Sequence, residues 1–127
     1  VGRTAAQPVA LPSVDVTLTT PFAVLIFTPL DNQPLAASTQ ILITAMARDK
    51  QAGAEFNADW SQLKLLGAPP LMMEPVQARI KVRGATPQRI NVLDIYGVPT
   101  GITVPVNADG AFAIDGRYRT YYYEVRR

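Results

Sequence analysis

The sequence predicts an all-β chain, an antiparallel β-sandwich of jelly-roll or immunoglobulin-like type with about eight strands. Three observations predict it. Val, Ile and Thr supply 31 of the 127 residues, and their β-branched side chains suit a pleated, half-buried surface. Eleven prolines interrupt the chain and exclude long helices from most of it. Several segments alternate apolar and polar residues with period two, the pattern of a strand with one wet face.

Residues 1–13, with Pro8 and Pro12, read as a linker or N-terminal arm, or as a strand belonging partly to a preceding domain. Residues 14–127 read as a single sandwich domain. In Val14–Thr20, Val14, Val16 and Leu18 share one face. Phe22–Thr28 and Gln40–Arg48 are apolar on both faces, which predicts central strands or a second apolar layer over them. Asp31-Asn32 between them marks a hairpin. Val76–Arg83 is the cleanest half-buried strand. Val76, Ala78, Ile80 and Val82 face inward, and Gln77, Arg79, Lys81 and Arg83 face water. Ile90–Ile95 reads as a strand, followed by a loop bracketed by Gly97 and Gly101. Ile102, Val104 and Val106 alternate with Thr103 and Pro105, and Pro105 makes this an edge strand because it cannot donate to a ladder. Asp109-Gly110 turns the chain into Phe112–Ile114, and Asp115-Gly116 turns it again. Tyr121, Tyr123 and Val125 point to the core, leaving Tyr122 outside with Thr120 and Glu124. Asp49–Pro70 is ambiguous. It reads as a short capped helix from Asp59 or, preferably, as a long loop with a short strand at Leu63–Leu66.

Composition excludes much chemistry. Cys and His are absent, so no disulfide, thiolate zinc site, Cys nucleophile or Ser-His-Asp triad exists. No run reaches the ~18 apolar residues of a membrane span. The N-terminus has no signal-peptide pattern, which implies that any targeting segment is processed away or lies outside this chain. The net charge is +2, and Lys and Arg are spread out rather than clustered with aromatics, so neither nucleic acid nor membrane is an expected partner.

Val16–Trp60, followed by Gly67–Val82, resembles the C-terminal accessory β-sandwich of large multidomain bacterial glycoside hydrolases, where it follows a (β/α)8 catalytic barrel. The matching landmarks are TPFAV (Thr20–Val24), LDNQPLAAS (Leu30–Ser38), ILITAMAR (Ile41–Arg48) and APPLMMEPV (Ala68–Val76). Gly53 stands where an Asn-Thr-Gly-like turn is common, with Gln51-Ala52 replacing the polar pair. These landmarks cover most of the chain and are structural, with no catalytic motif among them. The resemblance implies a non-catalytic domain, secreted or periplasmic, within a polysaccharide-degrading enzyme. Its partners would be a polysaccharide or oligosaccharide and the catalytic domain of the same enzyme. It would either bind sugar or brace the barrel without binding any.

The residues themselves nominate a site. Sugar recognition on a sandwich needs exposed aromatic rings, with side-chain amides and carboxylates beside them for the hydroxyls. Trp60, flanked by Asn57, Asp59 and Gln62, is the leading candidate platform, and its alternative role is to plug the end of the sandwich. Tyr96, Tyr118 and Tyr122 are further candidates. No catalytic residue is assigned. Glu55, Asp59, Glu74, Asp94 and Glu124 lack the barrel-strand setting of a glycosidase pair, and Glu74 is expected to pair with an Arg. No cofactor is expected. Asp31-Asn32, Asn57–Asp59 and Asn107–Gly110 have the chemistry of a structural calcium site but also that of ordinary turns. The Arg79, Lys81, Arg83 stripe reads as a solvated strand face.

Overall fold

A computed structural model describes residues 8–127. These fold as an antiparallel β-sandwich without an α-helix. Thirteen strands form among the described residues, more than the eight or so expected.

One sheet has four strands in the order β1 (Pro8–Ala10), β2 (Val14–Leu18), β9 (Ala78–Val82) and β12 (Phe112–Ile114). The other has five, in the order β11 (Pro99–Val104), β10 (Arg89–Leu93), β13 (Tyr122–Arg126), β4 (Gln40–Met46) and β3 (Val24–Pro29). Pro8–Ala10, inside the stretch expected as an arm, is therefore strand β1, paired to β2 from Pro8↔Thr17 to Ala10↔Asp15. Residues 1–7 of that stretch lie outside the described residues.

The core lies between the sheets and follows from period two. Val14, Val16 and Leu18 of β2 and Ala78, Ile80 and Val82 of β9 face Ile41, Ile43, Ile90, Val92, Tyr123 and Val125 of the opposite sheet, all buried. Phe112 and Ile114 close the near edge. The polar face of β9 is a solvated stripe, as expected, with Arg79 paired to Asp109 and Arg83 to Asp15 at 2.6 Å. At the C-terminus, Arg127 donates to the carbonyls of Leu35, Ala36, Ser38 and Arg83. It thereby ties the β3–β4 loop to the β9–β10 loop. Gly84 permits that approach, because a Cβ there would meet the Ala36 carbonyl oxygen at 2.1 Å.

Several expectations are corrected. β3, apolar on both faces, is an edge strand rather than a central one, and Ile26 on its outer face is 47% exposed. β11 is an edge strand as expected, but Ile102 is exposed and only Val104 is buried. Gly101 lies within β11 rather than in the loop before it. The Asp109-Gly110 turn does not make a hairpin within one sheet. It carries the chain between sheets, with Val106 bridging Phe112.

The largest departure is at residues 49–73: no helix forms, the short strand expected at Leu63–Leu66 is present at Leu63–Leu65, and further strands replace most of the expected loop outside the turn at residues 57–62. β5 (Asp49–Ala52) continues the path of β4 and pairs with β8 (Ala68–Met73), and β6 (Glu55–Phe56) pairs with β7 (Leu63–Leu65). The result is a two-stranded arm. Its register shifts between Gln51 and Ala52 and between Glu55 and Phe56, irregularities that bend a ribbon and blur its alternation. That is why period two failed to reveal it.

Candidate functional site

The tip of the arm is built by its polar residues. The Asn57 amide donates to the Ser61 hydroxyl at 3.0 Å, and its carbonyl oxygen accepts from the Gln62 N–H at 3.0 Å. Asp59 accepts from the Ser61 N–H at 2.9 Å. Bonds from Ser61, the hydroxyl first, hold the Asp59 carboxyl below its ordinary pKa. Trp60 takes a left-handed backbone conformation in this turn, with φ 63°. Its indole is half-buried, stacked on Phe56 at 4.7 Å and approached by the Arg48 guanidinium at 4.3 Å. Trp60 is thus neither a bare platform nor part of the sandwich core. Asn57 and Asp59 spend bonds on shaping the turn, while the Gln62 side chain is exposed.

Tyr96 is displayed by a different turn. Asp94 accepts from the N–H groups of both Tyr96 and Val98 at 2.9 Å, and Gly97 supplies the positive φ. The Tyr96 side chain emerges 87% exposed. Tyr122 stands half-buried on the outer face of the five-stranded sheet, opposite Thr44. Tyr121, expected in the core, is also half-buried, its ring 6.2 Å from that of Tyr122. Tyr118 is not an exposed candidate. It packs against the core, edge-on to Tyr123 at 6.0 Å.

Three shallow depressions connect these residues. The first, about 310 Å³, is lined by Leu42, Ile95, Tyr96, Gly97 and Tyr122. The second, about 210 Å³, shares Ile95 and Tyr122 and adds Tyr121, Met46, Asp49 and Met73. The third, about 280 Å³, shares Met73 and reaches Arg48, Lys50, Trp60 and Glu74 at the base of the arm. The first two share Ile95 and Tyr122 and form one groove across the outer face of the five-stranded sheet, whereas the pairs Asp49↔Met73 and Lys50↔Met72 set the third on the other face of the arm's ribbon. Tyr96 and Tyr122 line the groove and Trp60 the third depression, whereas Tyr118, Asn57, Asp59 and Gln62 line neither.

The polar groups of the third depression were not anticipated from the sequence. Lys50 donates to the Ala54 carbonyl at 3.0 Å. Glu74, expected in an ion pair with an Arg, has none among the described residues, and its Oε2 is buried with no hydrogen-bond partner among them. A buried acceptor left unpaired is costly, so a donor brought into the third depression would be favoured there. Beside the groove, Glu124 is 6% exposed and accepts from Gln40 at 2.7 Å, Asn91 at 2.8 Å and Arg126 at 2.8 Å. Burial pushes its carboxyl up, but the bonds from Arg126, Asn91 and Gln40 outweigh this and leave its pKa below the ordinary value.

Among the described residues, no group of three or more acidic side chains is placed to hold a metal ion. No helix among the described residues is long and apolar enough to cross a membrane. Comparison with known protein families, curated proteins and solved structures finds no match.

Proposed function

We propose that this chain is a non-catalytic carbohydrate-binding accessory module of a polysaccharide-degrading, exported glycoside hydrolase, and that it holds an extended glycan along the groove. The observation that carries this reading is that Tyr96 and Tyr122, nominated separately along the sequence, line one groove on the outer face of the five-stranded sheet. Pyranose rings present apolar faces to aromatic side chains, and their hydroxyls need donors and acceptors at the rim. Tyr96 and Tyr122 supply ring surface. Asp49 supplies a polar group at the rim of the groove. The stacking of Phe56 and Arg48 on Trp60 moves the main platform from the indole to the two tyrosines.

A second reading is favoured by a different observation. Leu63, Leu65, Leu66, Leu71 and Met72 are all exposed on the arm, and apolar side chains so grouped mark contact surfaces. In this reading the module braces the catalytic domain of the same enzyme through the arm and binds no sugar. Affinity electrophoresis through gels containing plant, algal and bacterial polysaccharides separates the two. Glycan binding predicts retardation on at least one polymer, weakened by roughly 1–3 kcal/mol in Tyr96→Ala and in Tyr122→Ala and unchanged in Leu65→Ser. Retardation on none of them leaves the bracing reading.

A further inference from the structure

We infer that β3 is the seam of a symmetric dimer, in which a second copy of this chain pairs antiparallel with the open edge of β3 in a register centred on Ile26. This interface is independent of glycan binding.

The hydrogen-bond phase of the sheet shows which groups are free. Ala45 N–H donates to the Tyr121 carbonyl at 2.8 Å, and Arg127 N–H to the Thr39 carbonyl at 3.0 Å, so odd-numbered positions of β4 bond towards β13. Leu30 N–H donates to the Gln40 carbonyl at 2.8 Å, so even-numbered positions of β4 bond towards β3. Antiparallel ladders alternate in this way. With the β3–β4 register running unbroken from Val24↔Met46 to Pro29↔Ile41, Val24, Ile26 and Thr28 bond inward. The N–H and C=O groups of Leu25 and Phe27 are left pointing away from the sheet.

Natural edges are normally guarded by short strands, prolines, bulges or charge. The other three edges of this sandwich are. β1 has three residues and begins at Pro8. β11 contains Pro99 and Gly101 and pairs through a register shift. β12 has three residues, and Val106 bridges Phe112 beside it. β3 has six residues in an unbroken register and lies in a run without charge from Val16 to Leu30. Its one guard is Pro29, which lacks an outward N–H.

That guard selects the register, and the chemistry selects the occupant. Centring the two-fold on Ile26 sets Leu25 opposite Phe27 of the copy, so that both exchange their free donors and acceptors, and leaves Pro29 at the margin opposite Ala23. A register centred on Phe27 would set Leu25 against Pro29 and lose a bond on each side. A copy presents the same uncharged edge, so no like charges meet. Ile26, exposed in the monomer, packs on its own counterpart. Six-residue strands bury less than the roughly 1,200–2,000 Å² of a standard interface, so the dimer is weak and concentration-dependent.

Sedimentation of the chain from about 10 µM to 1 mM tests this over the range expected for a small interface. The expected result is a shift towards dimer mass with rising concentration. Ile26→Lys and Ile26→Glu, on an exposed position and checked for unchanged circular dichroism, should each weaken self-association about tenfold or more, because the two-fold sets each new charge against itself. Mixing the two variants should restore dimers. A wild type that stays monomeric at 1 mM overturns the inference. So do dimers that persist in both variants, and a mixture that stays monomeric.

Discussion

The sandwich body and the arm at residues 49–73 are both antiparallel β-structure, yet they are stabilised differently. In the body, Ile41, Ile43, Ile80, Ile90, Phe112 and Val125 are fully shielded between two sheets. In the arm, Ala54 is the only buried apolar residue among those described, and Leu63, Leu65, Leu66, Leu71 and Met72 face outward. The arm relies on ladder bonds, the side-chain bonds of its tip and the Phe56–Trp60–Arg48 stack. A two-stranded ribbon alone is marginal in water. Burial therefore fixes the body, and the arm is an attachment whose local stability is lower.

Four substitutions sharpen that contrast. Phe112→Ala should have the largest effect. It leaves a cavity where both sheets meet and should cost about 3–5 kcal/mol in chemical denaturation. Arg127→Met comes next. It leaves the bonds to four backbone carbonyls unmade, and hydrogen bonds from a charged donor are worth about 1.5–3 kcal/mol. A melting temperature unchanged by this substitution would show that the C-terminal arginine is not a clasp. Trp60→Ala should cost about 1 kcal/mol or less globally, since it lies outside the core. It should instead speed amide exchange within residues 49–73 while leaving β4 and β13 protected. A loss comparable to that of Phe112→Ala would erase the distinction between body and arm.

The smallest effect is confined to acid. A bond from the Thr39 N–H, helped by the Ser38 and Thr39 side chains and the Gln33 N–H, holds the Asp31 carboxyl down at about 2. A carboxylate depressed in the folded state stabilises above its unfolded pKa, near 3.9. That contribution is lost as pH falls through the folded value. Asp31→Asn should therefore reduce the loss of stability between about pH 4 and 2 and leave the slope near neutrality unchanged. Acid denaturation curves of the two proteins test this.

The body was legible because burial there imposes period two without interruption. Val76, Ala78, Ile80 and Val82 all fall on the buried face read for them, as do Val14, Val16 and Leu18. β3 was misplaced because an apolar strand at an unguarded edge has the same pattern as one buried on both faces. Of the arm only the strand at Leu63–Leu65 was legible; the rest was not, because its register shifts twice and its leucines are exposed, so hydrophobicity there does not report burial. Within the groove, Tyr96 could be read from its turn and Tyr122 from alternation on β13. Glu74, Lys50, Asp49 and Met73 could not. They reach the two faces of the arm's base only because β5 pairs with β8, a pairing between residues some twenty positions apart that no local pattern announces.

The central claim is that the groove on the outer face of the five-stranded sheet binds glycan. The most direct measurement is a titration of the isotope-labelled chain with oligosaccharides from plant, algal and bacterial polysaccharides, followed by NMR. The account predicts saturable shifts at Tyr96, Tyr122 and Met73 with at least one ligand, while β2 and β9 on the opposite sheet stay unchanged. Shifts confined to that opposite sheet, or no shifts with any ligand, would contradict it.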